Sequence, residues 1–241
     1  MKPGRISRAA HKWLGLVVGL QLLVWIASGF YMVAVDLDFI HGDSLVRNLD
    51  TVVQLPPQTV SIEALQRQWT GIREIRLRAL PDDGAAVYEI VTHAGIELID
   101  AAAGRRISPL PQPRVIALAR AYYAGGGEPR RALLIATEAE RPLEVQNRPP
   151  PLWRVDFDDW LETTLYLSPD TGRLVTRRHR FWRWFDFLWA LHIMDYRNRT
   201  DVNNGLLVGA SILGLAAISA GFWLTWYSFG FFRRRATKAA P

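Results

Sequence analysis

Two long runs without a charged residue, Trp13 to Val35 and Leu206 to Phe232, bracket a stretch in which apolar and polar positions alternate on short periods. Each run is long enough to cross a roughly 30 Å hydrocarbon layer as a helix, which takes about 20 residues. Between them, Ser61 to Trp69 places Ile62, Leu65 and Trp69 at helical spacing, and Ile72 to Leu80 alternates as a half-buried strand does. After the Pro81-Asp82-Asp83-Gly84 turn, Ala86 to Val91 and Ile96 to Ile99 read as a hairpin.

The pattern then recurs. Arg114 to Tyr123 is helical, Arg131 to Ala136 is a strand, and Trp153 to Asp158 with Thr163 to Leu167 forms a second hairpin. Laying IDAAAGRRI over LSPDTGRLV aligns Gly104 with Gly172 and Arg105 with Arg173, and the same offset sets Val87 on Val155. Two α-β-β units in tandem are the expectation. The longer spacer from Glu138 to Pro151 reads as an exposed loop.

The fold class this predicts is an α+β membrane protein, two transmembrane helices flanking an extramembrane domain of two tandem α-β-β units. The expected segments are a cytoplasmic N-terminus (1–12), a first span (13–35), the tandem domain (36–180), an interfacial aromatic helix and linker (181–205), a second span (206–232) and a basic tail (233–241). Lys2, Arg5, Arg8 and Lys12 precede the first run, and Arg233, Arg234, Arg235 and Lys238 follow the second. By the positive-inside rule both termini are cytoplasmic, so residues 36–205 lie across the membrane, in a bacterium the periplasm beyond the inner membrane. A cleaved signal peptide is rejected because the first run exceeds a usual apolar core and no A-x-A-like site follows it.

The absence of cysteine excludes disulfides, thiolate zinc sites, Cys-ligated iron–sulfur clusters and covalent c-type haem. The net charge of +6 resides largely in the terminal clusters, which makes membrane lipid, not nucleic acid, the expected partner.

The helix, strand and hairpin closing in Ser168-Pro169-Asp170-Thr171-Gly172-Arg173 resembles the PepSY domain. AHKWLGLVVG (Ala10 to Gly19) and FDFLWALHIMDY (Phe185 to Tyr196) are similar to motifs of the PepSY-associated transmembrane family, with Ala10 where that family has Leu. Larger members of that family have four or more spans, and some are haem-containing siderophore reductases. The resemblance therefore implies a haem b held between helices, electron transfer toward a ferric siderophore or another iron substrate, and a homodimer or another membrane subunit to complete a four-helix site.

The candidate ligands are three histidines. His11 shares a helical face with Gly15 and Gly19, which leaves room for a flat cofactor, or else that face is only a helix-packing seam. His192 lies on one stripe with Phe181, Phe185, Leu188 and Trp189 in an interfacial helix from Phe181 to Met194, as a haem ligand or as a hydrogen-bonded interfacial imidazole. His41 falls at the depth of His192 and is its candidate partner on one outer haem. His11 and His192 are expected at opposite faces, so His11 needs a symmetry mate or another subunit. His93 reads as a turn residue.

Arg177, Arg178, Arg180 and Arg183, with His179 among them, form a basic run expected to face lipid phosphates or an anionic ligand. Small residues Ala210, Gly214, Ala217 and Gly221 repeat the spacing that lets helices approach. Asp156, Asp158 and Asp159 suggest calcium, but Phe157 and Trp160 read as core beside them. No H-E-x-x-H, G-x-S-x-G or phosphate-binding glycine loop is present. Two functions fit: a haem-bearing electron-transfer component, and a tethered interaction or regulatory module without redox activity.

Overall fold

The computed structural model describes residues 3–49 and 52–228, apart from the side chains of residues 3–11 and of Leu14, Leu224, Tyr227 and Ser228. The chain divides into two compact units, one of Met1–Ala34 with Phe185–Pro241 and one of Val35–Trp184.

The first unit holds the two apolar helices, α1 (Pro3–Ala34) and α6 (Gly205–Ser228). The windows Gly15–Ala34 and Gly205–Trp223 each have a mean hydropathy of 2.0, yet only 11% and 6% of them are buried. Helices of that length and composition could cross a membrane. A helix forming the core of a soluble domain would hide most of its apolar surface, and these leave Leu20, Leu23, Ile26, Phe30, Leu215 and Phe222 exposed. Phe229 to Phe232 and the basic tail lie outside the described residues.

Helix α5 (Arg180–Ile193) matches the predicted aromatic helix, and a tight linker joins it to α6. Asp195 organises that linker: its two carboxylate oxygens accept the backbone N–H groups of Arg197, Asn198, Thr200 and Asp201. Those four donors, led by Asp201, hold its pKa down at about 2. Asn204 then caps α6, its side-chain oxygen accepting from Leu207 N–H at 2.9 Å while its amide donates to the Ile193 carbonyl.

The second unit is α+β. A short helix α2 (Leu37–His41), capped by Asp36 and stopped by left-handed Gly42, leads to two antiparallel meanders. Helix α3 (Ile62–Gln68), capped by Ser61, precedes β1 (Ile72–Ala79), β2 (Ala86–Thr92) and β3 (Ile96–Asp100), ordered β1-β2-β3. Helix α4 (Gln112–Tyr122) precedes β4 (Pro129–Ile135), β5 (Leu152–Phe157), β6 (Thr164–Leu167) and β7 (Leu174–Arg178), ordered β4-β5-β6-β7. Helix α3 is thus followed by the three strands expected, a strand and a hairpin, and α4 by the three expected and a fourth, β7, so the α-β-β label undercounts both units. Strand β7 was hidden in the sequence by the basic run, since Arg177 and Arg178 belong to it.

The two closing turns are equivalent. Gly104 and Gly172 have φ of 66° and 67°, and their N–H groups donate to the carbonyls of Asp100 and Ser168 at 2.9 and 2.8 Å. Ile99 pairs with Arg106 as Leu167 pairs with Leu174. The offset does not extend to Val87 and Val155, however. Val87 lies opposite Asp100, whose counterpart Ser168 follows the β5–β6 register to Leu152. The cause is the hairpin loop, three residues between β2 and β3 but six between β5 and β6. A change of loop length shifts which residues face each other across the ladder.

The main core joins the repeats: Leu80, Val87 and Leu98 meet α4 through Val115 and Leu118, and Val155, Leu165 and Leu167 from the second sheet. On the other face of the first sheet, Tyr88, Ile90 and Ile99 pack with Leu65 of α3. The spacer after β4 forms two single 3₁₀ turns, and its Val145 covers Leu152 and Tyr166. All four residues of β6 are buried, because the second sheet is covered on both faces.

A buried charge cluster fastens the repeats. Glu89 of β2 is 1% exposed, on the same face as Val87. It accepts from Arg78 Nε at 2.9 Å and from Arg173 at 3.1 and 3.2 Å, and Arg76 lies 3.6 Å away. Arg78 also donates to the Thr171 carbonyl in the second turn. Burial lowers the Arg78 pKa, opposed by the Glu89 carboxylate.

Candidate functional site in the helical unit

Ser28 and His192 meet within the helical unit. Ser28, 1% exposed near the end of α1, sits one helical step from Gly29, which packs against the imidazole: a Cβ there would be in ordinary contact with His192 Cε1, at 3.6 Å. His192 is half-buried in the last turn of α5. The Ser28 hydroxyl carries one hydrogen, and its shortest contact, 2.7 Å to the Val24 carbonyl, takes it. His192 Nδ1, 2.9 Å from Ser28 Oγ, is then the donor in that pair. This assignment follows from the hydrogen-bond network and places the imidazole lone pair on Nε2.

That is the tautomer a metal-binding histidine uses when its other nitrogen is held by an outer hydrogen bond. His192 Nε2 is therefore an atom that could ligate a metal, although His192 does not line the cavity of this unit. Sequence reasoning missed Ser28, although a hydroxyl inside an apolar run was a signal, since a buried polar side chain requires a partner.

The same unit contains a cavity of about 520 Å³ between α1 and α6, lined mainly by apolar groups including Val18, Trp25, Gly209, Leu213 and Met194. Gly214 faces α1, where a Cβ would make ordinary contact with Leu22 at 3.6 Å. At Gly15, Gly19 and Gly221 nothing among the described residues lies within 4 Å of an added Cβ. The small-residue face predicted beside His11 is therefore not filled by the described residues. His11 lies on the backbone of α1, and its side chain is outside the described residues.

The other candidates belong to the second unit. His41 is exposed at the end of α2, where its ligand atom lies within 4.8 Å of those of Asp38 and Asp43. Asp43 is ion-paired with Arg177, whose Nε also donates to the His41 carbonyl. Arg178 donates to the Glu144 carbonyl and lies 3.9 Å over the Trp182 ring. Arg183 pairs with Glu144 at 2.7 Å and donates to Thr164 and to the Glu162 carbonyl. The Arg183 and Tyr166 hydrogen bonds hold the Glu144 carboxyl below its usual range, outweighing desolvation. Three of the four arginines of the basic run are thus bound within the fold, and Arg180 alone is exposed with its guanidinium against aromatic rings.

His179 is fully buried, its Nε2–H shared between the Phe39 and Ile40 carbonyls at 3.0 Å each, and its Nδ1 has no hydrogen-bond partner. Desolvation lowers its pKa. It ties α2 to the chain entering α5. His93 is a turn residue, as expected, beside Arg73. Asp156 and Asp159 are engaged by Arg154 and Thr164 and by Tyr123 and Thr163, and Phe157 is core. Trp160, read as core, is instead 66% exposed.

No family model matches this chain, and no match is found among curated proteins or solved structures.

Proposed function

We propose that this chain is a two-span inner-membrane protein of the PepSY-associated kind, with both termini cytoplasmic and the domain of residues 36–180 periplasmic, and that His192 holds a b-type haem in an electron-transfer component serving ferric siderophore or iron reduction. The observation that carries this reading is the Ser28–His192 hydrogen bond, because it fixes the ring and leaves Nε2 free as a ligand. A haem bound there supplies a one-electron iron centre. His192 would hold the iron through Nε2, Ser28 orients the imidazole and raises its basicity, and the apolar helices would exclude water.

Within the helical unit, His192 is the sole histidine whose side chain is described. A further ligand to a haem would come from a second copy or another membrane subunit, and the open faces at Gly15, Gly19 and Gly221 support such a neighbour. The Trp182, Trp184 and Trp189 side chains of α5 suit a membrane–water interface.

The test is a reduced-minus-oxidised spectrum of full-length protein purified in detergent after expression with ample haem. Wild type shows b-type bands, His192→Ala loses them, and Ser28→Ala retains haem about 10-fold less tightly. Bands unchanged in His192→Ala refute the ligand assignment. No bands in wild type leave the tethered interaction module as the reading.

A further inference from the structure

Trp160 occupies the β5–β6 loop, which is three residues longer than its counterpart in the first repeat. The loop is tightly held. Arg180 N–H donates to the Leu161 carbonyl at 2.7 Å, Arg183 Nη1 to the Glu162 carbonyl at 2.9 Å, and the Asp159 carboxylate accepts from Thr163 and Tyr123. Yet its indole is 66% exposed, with the exposed Arg180 guanidinium 5.8 Å from the ring centre. A fixed loop that turns a large apolar ring outward beside a cation suits an apolar, anionic neighbour.

Chain connectivity says where that neighbour is. Trp160 packs edge-on to Phe181 with centroids 6.1 Å apart, and Phe181 lies 5.3 Å from Phe39. Phe39 is five residues beyond Ala34, the end of the first apolar window. Five residues reach at most about 18 Å when fully extended, and less here because α2 is helical. The indole is therefore leashed to the end of a membrane-spanning run. Leu37 on α2 and Trp184 after Phe181 are also exposed, at 51% and 56%.

We propose that Trp160 and Arg180 form a third membrane anchor, the indole seated among lipid headgroups and the guanidinium on a phosphate, so that the extramembrane domain is held against the bilayer and not merely tethered to it. Tryptophan suits that layer because its ring is apolar and its N–H still finds acceptors. The proposal rests on reading the apolar runs as spans, and is independent of haem.

The chain has no cysteine, so one introduced thiol carries one label. Full-length Asp158→Cys, Ala94→Cys and Leu213→Cys, each labelled with an environment-sensitive fluorophore, are placed in phospholipid nanodiscs. Position 158, exposed in the same loop, reports the anchor with Trp160 intact; position 94, in the equivalent loop of the first repeat, serves as the aqueous control, and position 213 reports the span. Headgroup-level nitroxide lipid should quench the label at 158 and spare that at 94, while aqueous iodide should do the reverse. Acyl-chain nitroxide should quench the label at 213. Iodide quenching at 158 equal to that at 94, with 213 quenched by acyl-chain nitroxide, overturns the anchor and leaves the spans standing. Loss of acyl-chain quenching at 213 overturns both.

Discussion

Glu89→Gln should loosen both sheets together. The glutamine keeps the volume and removes the charge from a site that is 1% exposed. Arg76 and Arg173 have side chains 51% exposed, so each pair with Glu89 is worth no more than about 1 kcal/mol. Arg78 is the partner that counts, with a side chain 16% exposed and Nε 2.9 Å from the carboxylate. Removing one member of a buried pair costs about 3–5 kcal/mol, and the residual hydrogen bonding of the amide places Glu89→Gln near the lower end, about 3 kcal/mol. That is somewhat over 100-fold in an opening equilibrium. The assay is amide hydrogen exchange by mass spectrometry on full-length protein in detergent, following peptides from β2–β3 and from β6–β7. Exchange should accelerate by about that factor in both sheets, because Glu89 and the second turn are joined through Arg173. Acceleration confined to the first sheet, or below about threefold in both, would show that the cluster does not couple the repeats. Arg78→Met added to Glu89→Gln should recover part of the loss by removing the unpaired guanidinium.

Gly172→Ala should cost about 2–4 kcal/mol, since φ is 67° and the new Cβ would meet Leu110 Cδ1 at 2.8 Å and Leu118 Cδ1 at 2.9 Å. Gly84→Ala has a similar φ of 72° with nothing within 4 Å, so about 1 kcal/mol is expected; equal effects in denaturant titrations would refute the packing argument. His179 should make the second unit acid-sensitive. Its folded pKa lies below the unfolded value of about 6.5, so its contribution is full above that pH and is lost as pH falls toward the folded pKa, where the unfolded chain alone takes up the proton. Exchange in peptides covering Phe39 to Leu45, corrected for intrinsic rates, should rise relative to the core between pH 7 and 5.5, and His179→Gln should remove that dependence.

The apolar runs, the two helix-and-meander units and the equivalent turns at Gly104 and Gly172 were legible in the sequence. Span length, alternation and left-handed glycine are local properties, written in consecutive residues. The roles of repeated residues were not. Arg105 and Arg173 are the same residue in the same turn, yet Arg105 is exposed while Arg173 pairs with buried Glu89, 84 positions away. The order in which the repeats stack decides this. Likewise Arg177, Arg178 and Arg183 read as a free basic surface until Asp43 after α2 and the Glu144 turn gave them partners. His192 stood out by residue type, but the Ser28 hydroxyl that selects its tautomer is 164 positions away. Trp160 was assigned to the core by its hydrophobicity, and a six-residue hairpin loop turned it outward. Hydrophobic pattern determines which segments fold and onto which face; only tertiary packing brings distant polar groups within hydrogen-bonding range and so decides which charges are neutralised, which nitrogen is left free and which ring remains uncovered.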